Sequence, residues 1–192
     1  MIVLGSGSAI RARILRDAGV AYEVDRPRVD EDALKREIAA LPAELAVALA
    51  EAKAREVSAR RPGALVIGAD QTLEFEGALI DKAKSADEAR ARLLGFRGRE
   101  HRLHAGTALA RDGEVVWRDR RTSVMRVRPF SDAFLDDYMA RAGGLTQSVG
   151  AYEYEGLGAQ LFEAVEGDFF AVLGLPLLPL LAALRAEGAL PT

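Results

Sequence analysis

The chain opens on an apolar triplet, Ile2-Val3-Leu4, which breaks into Gly5-Ser6-Gly7-Ser8. A short apolar run closed by glycine predicts a buried first strand. Ser8 then predicts the N-cap of a helix over residues 9–18. Residues 22–24 read as a second strand, and residues 30–39 as a helix that Asp30 can cap. Pro42 suits a first helical turn, and residues 43–60 are rich in helix formers until Pro62-Gly63 stops them. Leu65-Val66-Ile67 predicts a strand buried on both faces, ending at Gly68-Ala69-Asp70. Residues 72–75 and 78–80, joined by Glu76-Gly77, read as a small separate hairpin. Ser85-Ala86-Asp87-Glu88 is a capping box that opens a helix to about Leu94. Asp112-Gly113 is a two-residue hairpin signal between strands over 101–111 and 114–128. Ser131 caps a helix to about Arg141, and residues 143–158 are glycine-rich and irregular. Residues 161–165 and 169–173 read as closing strands before a last helix to about Glu187. Crossover helices mixed with hairpins predict an α/β fold with a mixed sheet.

Composition narrows the chemistry. At 192 residues the chain is the size of one domain, with room for two lobes around a cleft. It has no cysteine, which excludes a disulfide scaffold, a zinc finger, an iron–sulfur site and a thiol nucleophile, and fits a reducing cytoplasm. Two histidines exclude a three-histidine metal site. The formal net charge of -3 offers no basic excess for nucleic acid. The apolar opening triplet is too short for a signal peptide. The most apolar stretch, residues 171–184, is shorter than the ~20 residues a bilayer span needs. Gly174, Pro176 and Pro179 interrupt it. It reads as a buried strand end followed by a buried helix, so no membrane partner is expected.

Several residues are candidates for chemistry. Ser6-Gly7-Ser8 lies between a strand and a helix, where free N–H groups and the helix dipole bind phosphate. A tight turn with a serine cap accounts for the same residues. Arg11 points into the apolar face made by Ile10, Ile14, Leu15 and Ala18. There it suits a bidentate phosphate contact or an internal partner. Lys53 sits at the edge of the Leu45, Ala48, Leu49 and Ala52 stripe, placed to face a phosphate or to snorkel. Asp70 follows a buried strand, where a carboxylate would face the crevice beyond the strand ends. Lys82 follows the hairpin and can return to that crevice. Asp30-Glu31 offers a second carboxylate, and two carboxylates with lysines suit Mg²⁺ on a polyphosphate. His101 and His104, three apart on a strand, face opposite sides and cannot share a metal.

Together these segments resemble the Maf family of nucleoside triphosphate pyrophosphatases over residues 2–185. The resemblance rests on Leu4-Gly5-Ser6-Gly7-Ser8 with Arg11, Val29-Asp30-Glu31, Ala52-Lys53-Ala54, Ile67-Gly68-Ala69-Asp70-Gln71 and Lys82. Gly150-Ala151-Tyr152, Glu155-Gly156 and Gly174-Leu175-Pro176-Leu177 complete it. It implies a single Maf-like domain over residues 1–192, of the Maf/inosine-triphosphatase-like class, with an elongated mixed β-sheet, flanking helices and a central cleft. It implies hydrolysis of a nucleoside triphosphate to a monophosphate and pyrophosphate with a divalent cation, Mg²⁺ or Mn²⁺, often in a homodimer. Asp70, Lys53, Lys82 and Glu31 would carry catalysis, Asp70 and Glu31 holding the metal. Ser6, Ser8, Arg11, Gln71 and Glu155 would bind substrate. The other role discussed for such proteins is a nucleotide-binding regulator of cell division without turnover. The chain departs from the family pattern at Ala9, at Asp81-Lys82-Ala83 in place of Gly-Lys-Pro, and at Ser148, where a lysine is usual. Gln71 and Glu155 are closer to the branch associated with 7-methyl-GTP.

Overall fold

A computed structural model of the chain describes residues 1–38 and 40–192. The elements are β1 (Ile2–Gly5), α1 (Ala9–Asp17), β2 (Glu23–Val24), α2 (Glu31–Ile38), α3 (Pro42–Arg60), β3 (Leu65–Phe75) and β4 (Ala78–Ile80). They continue as α4 (Ala86–Phe96), β5 (Glu100–Arg111), β6 (Glu114–Val127), α5 (Asp132–Arg141), β7 (Phe162–Glu166), α6 (Phe169–Val172) and α7 (Leu177–Ala186). The end of the expected second helix, Ala39, lies outside the described residues.

Among the described residues, seven strands form one mixed sheet in the order β2-β1-β3-β5-β6-β7, with β4 also on β3. β1 runs parallel to β2 and β3, and every other pairing is antiparallel. Both hairpin turns use left-handed backbone, at Glu76-Gly77 and Asp112-Gly113, as two-residue turns of this hand require. Ser8, Ser85 and Ser131 cap their helices through side-chain oxygens, as the sequence predicts.

Three expectations need correction. β3 does not stop at Asp70 but runs on to Phe75, so the hairpin with β4 is the end of the same strand. The polar residues 70–72 read as a boundary because they line a cleft, not because the strand ends. Residues 169–173 are not a strand. Phe169–Val172 is a short helix whose N-cap, Asp168, accepts from the N–H groups of Phe170 and Ala171. A four-residue apolar run has no period long enough to separate strand from helix, and the cap decides it. The stretch 171–184 therefore holds a helix end and a helix, not a strand end. Leu161 also falls outside the seventh strand, in a 3₁₀ turn over Leu157–Leu161.

Alternation along β3 sorts the core. Leu65, Ile67 and Ala69 join α1, α7 and β1 in one apolar cluster. Leu73 joins a second, built on α4, α5, Leu103 and Met125. On the opposite sheet face lies α3, packed through small residues. A Cβ at Gly68 would stand 2.1 Å from the Ala50 carbonyl oxygen, and one at Gly106 would stand 2.2 Å from that of Ala46. Only glycine permits this approach. Gly68→Ala must push α3 off the sheet. It is expected to cost roughly 1–3 kcal/mol, read as a lower denaturant midpoint at unchanged slope. An unchanged midpoint would mean that α3 does not sit so close.

Candidate active site

β3 has two partners on one edge. β1 pairs with it over Leu65–Gly68 and β4 over Leu73–Phe75. Among the described residues, 69–72 between them face no strand on that side. The break opens a cleft of about 1350 Å³, bordered by the Ser6–Ser8 loop, α2, Lys82 and residues 146–155. A drug-sized ligand pocket is typically ~300–1,000 Å³, so a nucleotide fits.

Asp70 projects from this break toward α3, on the same side as Gly68 and Thr72. Thr72 donates from Oγ1 to the Pro42 carbonyl at 2.6 Å and pins the start of α3 there. The close approach at Gly68 brings Lys53 alongside. Its Nζ lies 2.5 Å from Asp70 Oδ1 and 2.9 Å from Glu31 Oε1. Lys53 is 5% exposed and Asp70 8%. The lysine does not snorkel; it is buried and paired. Glu31, at the N-terminus of α2, is half-exposed.

The Ser6–Ser8 loop joins β1 to α1. Ser6 Oγ accepts from the Ser8 N–H, and Ser8 Oγ accepts from the Arg11 N–H. Arg11 donates Nε to the Gly174 carbonyl at 2.8 Å, and Nη1 to Ser6 Oγ and the Ala69 carbonyl. It thus stitches the loop, the unpaired edge of β3 and the turn before α7 into one wall. Burial pushes its pKa down, while Asp70 and Glu31 oppose that shift. Nη2 makes no hydrogen bond among the described residues.

Gln71 points to the opposite face from Asp70. Its Nε2 donates to the carbonyls of Ala171 and Val172, tying β3 to α6. Glu155 pairs with Arg13 of α1 at 3.1 Å across the cleft mouth. Lys82 lies exposed at the rim. The structure therefore brings Glu31, Lys53 and Asp70 into direct contact. It places Ser6, Ser8, Arg11, Gln71, Lys82 and Glu155 around the same cleft.

Two neighbours have no role in the sequence reading. Arg13 is on the outward side of an amphipathic helix, where arginine carries no signal. Tyr152 holds the far wall from behind, its hydroxyl 2.6 Å from His101 Nε2. Its trace in the sequence is the Gly150-Ala151-Tyr152 segment of the family resemblance, which gives it no role.

A divalent cation is compatible with this donor set. Asp70 and Glu31 offer hard carboxylate oxygens that converge on a single ammonium. Among the described residues no three His, Asp or Glu side chains gather into a fuller cage. A cation here would therefore take one or two carboxylates and complete its shell with phosphate oxygens and water, as Mg²⁺ prefers. Among the described residues, no helix is long and apolar enough to cross a membrane.

The family described as Maf-like protein matches residues 1–187 of the chain. A protein of Maricaulis maris named nucleoside triphosphate pyrophosphatase is 58% identical over 190 residues, covering 98% of this chain and 97% of that one. A protein of Rhizobium meliloti named 7-methyl-GTP pyrophosphatase is 46% identical over 195 residues, covering 99% and 98%. Among solved structures, a HAM1 protein from Coxiella burnetii matches at a TM-score of 0.39 and 15% identity, covering 67% of this chain and 73% of that one.

Proposed function

The chain belongs to the Maf-like family, and from that premise we propose that it hydrolyses a nucleoside triphosphate to a nucleoside monophosphate and pyrophosphate. The observation that carries this reading is the cluster of half-exposed Glu31 with buried Lys53 and Asp70 at the floor of a cleft large enough for a nucleotide. The names of relatives at 58% and 46% identity support it.

The triphosphate lies along the Ser6–Ser8 loop, where α1 offers its N-terminal N–H groups. Arg11 Nη2, Lys53 and Lys82 neutralise phosphate charge. Lys53 occupies Asp70 Oδ1, which leaves Oδ2 to take the proton of the attacking water. Water attacks the α-phosphorus, its bond to the α–β bridging oxygen breaks, and pyrophosphate leaves. With Asp70 engaged as base, Glu31 would hold the Mg²⁺ or Mn²⁺, which would supply charge stabilisation to the phosphates.

Base choice follows from the mouth of the cleft. Glu155 is available to accept from a guanine-type N–H edge once Arg13 lets go. A carboxylate also favours a cationic base such as 7-methylguanine. The absence of cysteine suits a reducing cytoplasm as the place of the reaction, and a homodimer is what the family resemblance implies. Pyrophosphate release with Mg²⁺ across GTP, 7-methyl-GTP, dTTP and UTP tests the reading. Release is expected, with 7-methyl-GTP ahead of dTTP and UTP. Nucleotide binding without release from any of them would favour a non-catalytic regulator of cell division instead. Equal rates on all four would remove the base assignment.

A further inference from the structure

The rims of the cleft are unequally anchored. α2 carries Glu31 yet buries none of its residues. The opposite rim carries Lys82 in the short connection between β4 and α4, and Lys82 itself is exposed. Each rim also holds a charged residue that nothing above has used. Lys35 lies one helical turn beyond Glu31, on the same side of α2. Asp81 stands directly before Lys82. The two meet across the cleft, Lys35 Nζ lying 2.5 Å from Asp81 Oδ1, between elements 46 residues apart in sequence. Asp32, the nearest alternative partner of Lys35, is farther away at 3.9 Å. Three-quarters of the Lys35 side chain is covered.

We propose that Lys35 and Asp81 are positioning residues, whose ion pair clamps the two rims together and so fixes Glu31 and Lys82 relative to Asp70. The chemistry gives the reason. Glu31 reaches the cleft from a helix with no buried residue of its own, and its one ion pair to the floor is with Lys53. Lys53 is shared with Asp70, so that contact alone defines the placement of α2 weakly. A second tether, one turn away, removes the freedom to swing. On the other rim, Asp81 tethers the backbone next to Lys82 and sets where the ammonium emerges. Asp81 is also one of the positions where this chain departs from the family's Gly-Lys-Pro pattern, and a glycine there could not make the clamp. The raised pKa of Lys35 agrees with this geometry: burial opposes it, but the hydrogen bond and charge of Asp81 prevail.

The catalytic consequence rests on the pyrophosphatase reading, but the clamp can be tested without it. Lys35→Glu and Asp81→Lys each replace attraction by repulsion, and the double variant restores an opposite pair. Turnover is measured against nucleotide and Mg²⁺ concentration. Amide hydrogen exchange over residues 31–38 is measured without nucleotide. Each single variant is expected to raise KM and the half-saturating Mg²⁺ concentration roughly 5- to 20-fold, with kcat changed much less. Exchange in α2 should accelerate. The double variant should recover on all three readouts.

A Lys35 that acted by touching phosphate directly would predict the reverse for the double variant, since its charge at position 35 is still inverted. No recovery in the double variant, or unchanged exchange in both single variants, overturns the clamp. If the wild-type protein releases no pyrophosphate, the functional reading fails and exchange alone decides. Acceleration in the single variants that reverses in the double supports the clamp, and its absence rejects it.

Discussion

Asp70→Asn is expected to lower the turnover of pyrophosphate release by ~10²–10⁴, while the protein stays folded and still binds nucleotide. The substitution keeps the shape of the side chain and one carbonyl oxygen facing Lys53. It removes the charge and the basic Oδ2 that would take the proton of the attacking water. Removing one partner of a buried ion pair is usually strongly destabilising because it leaves an uncompensated charge. Here Lys53 keeps Glu31 at 2.9 Å, so the lysine is not stranded. That is why Asp70, buried as it is, can be changed without the result being lost in unfolding. Lys53→Met is the harsher change, since it leaves two carboxylates facing each other without a cation. Steady-state turnover, with nucleotide affinity and thermal midpoint measured beside it, separates these outcomes. Turnover in Asp70→Asn within ~10-fold of the wild type would remove Asp70 from the proton-transfer role.

How far the sequence foretells this site depends on what each residue's signal was. Serine caps, the two left-handed hairpin turns and the long helix α3 are local. Their physics is complete within four to eight residues, and the structure agrees with each. Asp70 was legible for a partly mistaken reason. Its position after Leu65-Val66-Ile67 suggested the carboxyl end of a strand, yet β3 continues to Phe75. The crevice exists because a neighbour changes, β1 giving way to β4, and pairing between distant segments leaves no local trace. For Lys53 the sequence allows either a phosphate contact or a snorkelling side chain. What settles its burial is Gly68 and Gly106, whose missing side chains let α3 descend onto the sheet. Glycines in predicted strands could have signalled that approach. α6 has no distinct signature, because a short apolar segment fits either period. Arg13 and Lys35 were invisible because arginine and lysine on an exposed helix face are ordinary.

Acidification from pH 6.5 to about 4.5 is expected to cost the fold stability, and His101 is expected to account for much of the loss. His101 sits in the second apolar cluster's territory, stacked on Phe96 with ring centroids 4.4 Å apart, and bordered by Tyr152 and Phe162. Its Nε2 meets the Tyr152 hydroxyl. Its Nδ1 is buried with no hydrogen-bond partner among the described residues. Protonation would put a charge and a second N–H donor on a buried nitrogen that has no acceptor among the described residues. Burial accordingly pushes its pKa down to about 3. The unfolded chain, with an ordinary histidine near 6.5, binds a proton that the folded chain refuses. Stability therefore rises with pH across the window between the folded and unfolded values, and falls as pH drops through it. His104, lowered by burial against the opposing pull of Glu74, contributes with the same sign. These are the only two histidines in the chain, and carboxylates in an unfolded chain take up protons mainly below about pH 4.5. The upper part of the window thus reports histidine. Each proton excluded contributes up to ~1.4 kcal/mol per pH unit, and the full His101 contribution is on the order of 3–5 kcal/mol at pH 7. Denaturant unfolding at pH 7, 6, 5 and 4.5 measures the slope directly. In His101→Phe the slope should fall by about half or more, leaving what His104 supplies, whatever the variant's absolute stability. A wild-type slope near zero between pH 6.5 and 4.5 would mean that His101 finds an acceptor or water when it is charged. The wall that Tyr152 presents to the cleft would then not be held from behind by a neutral ring.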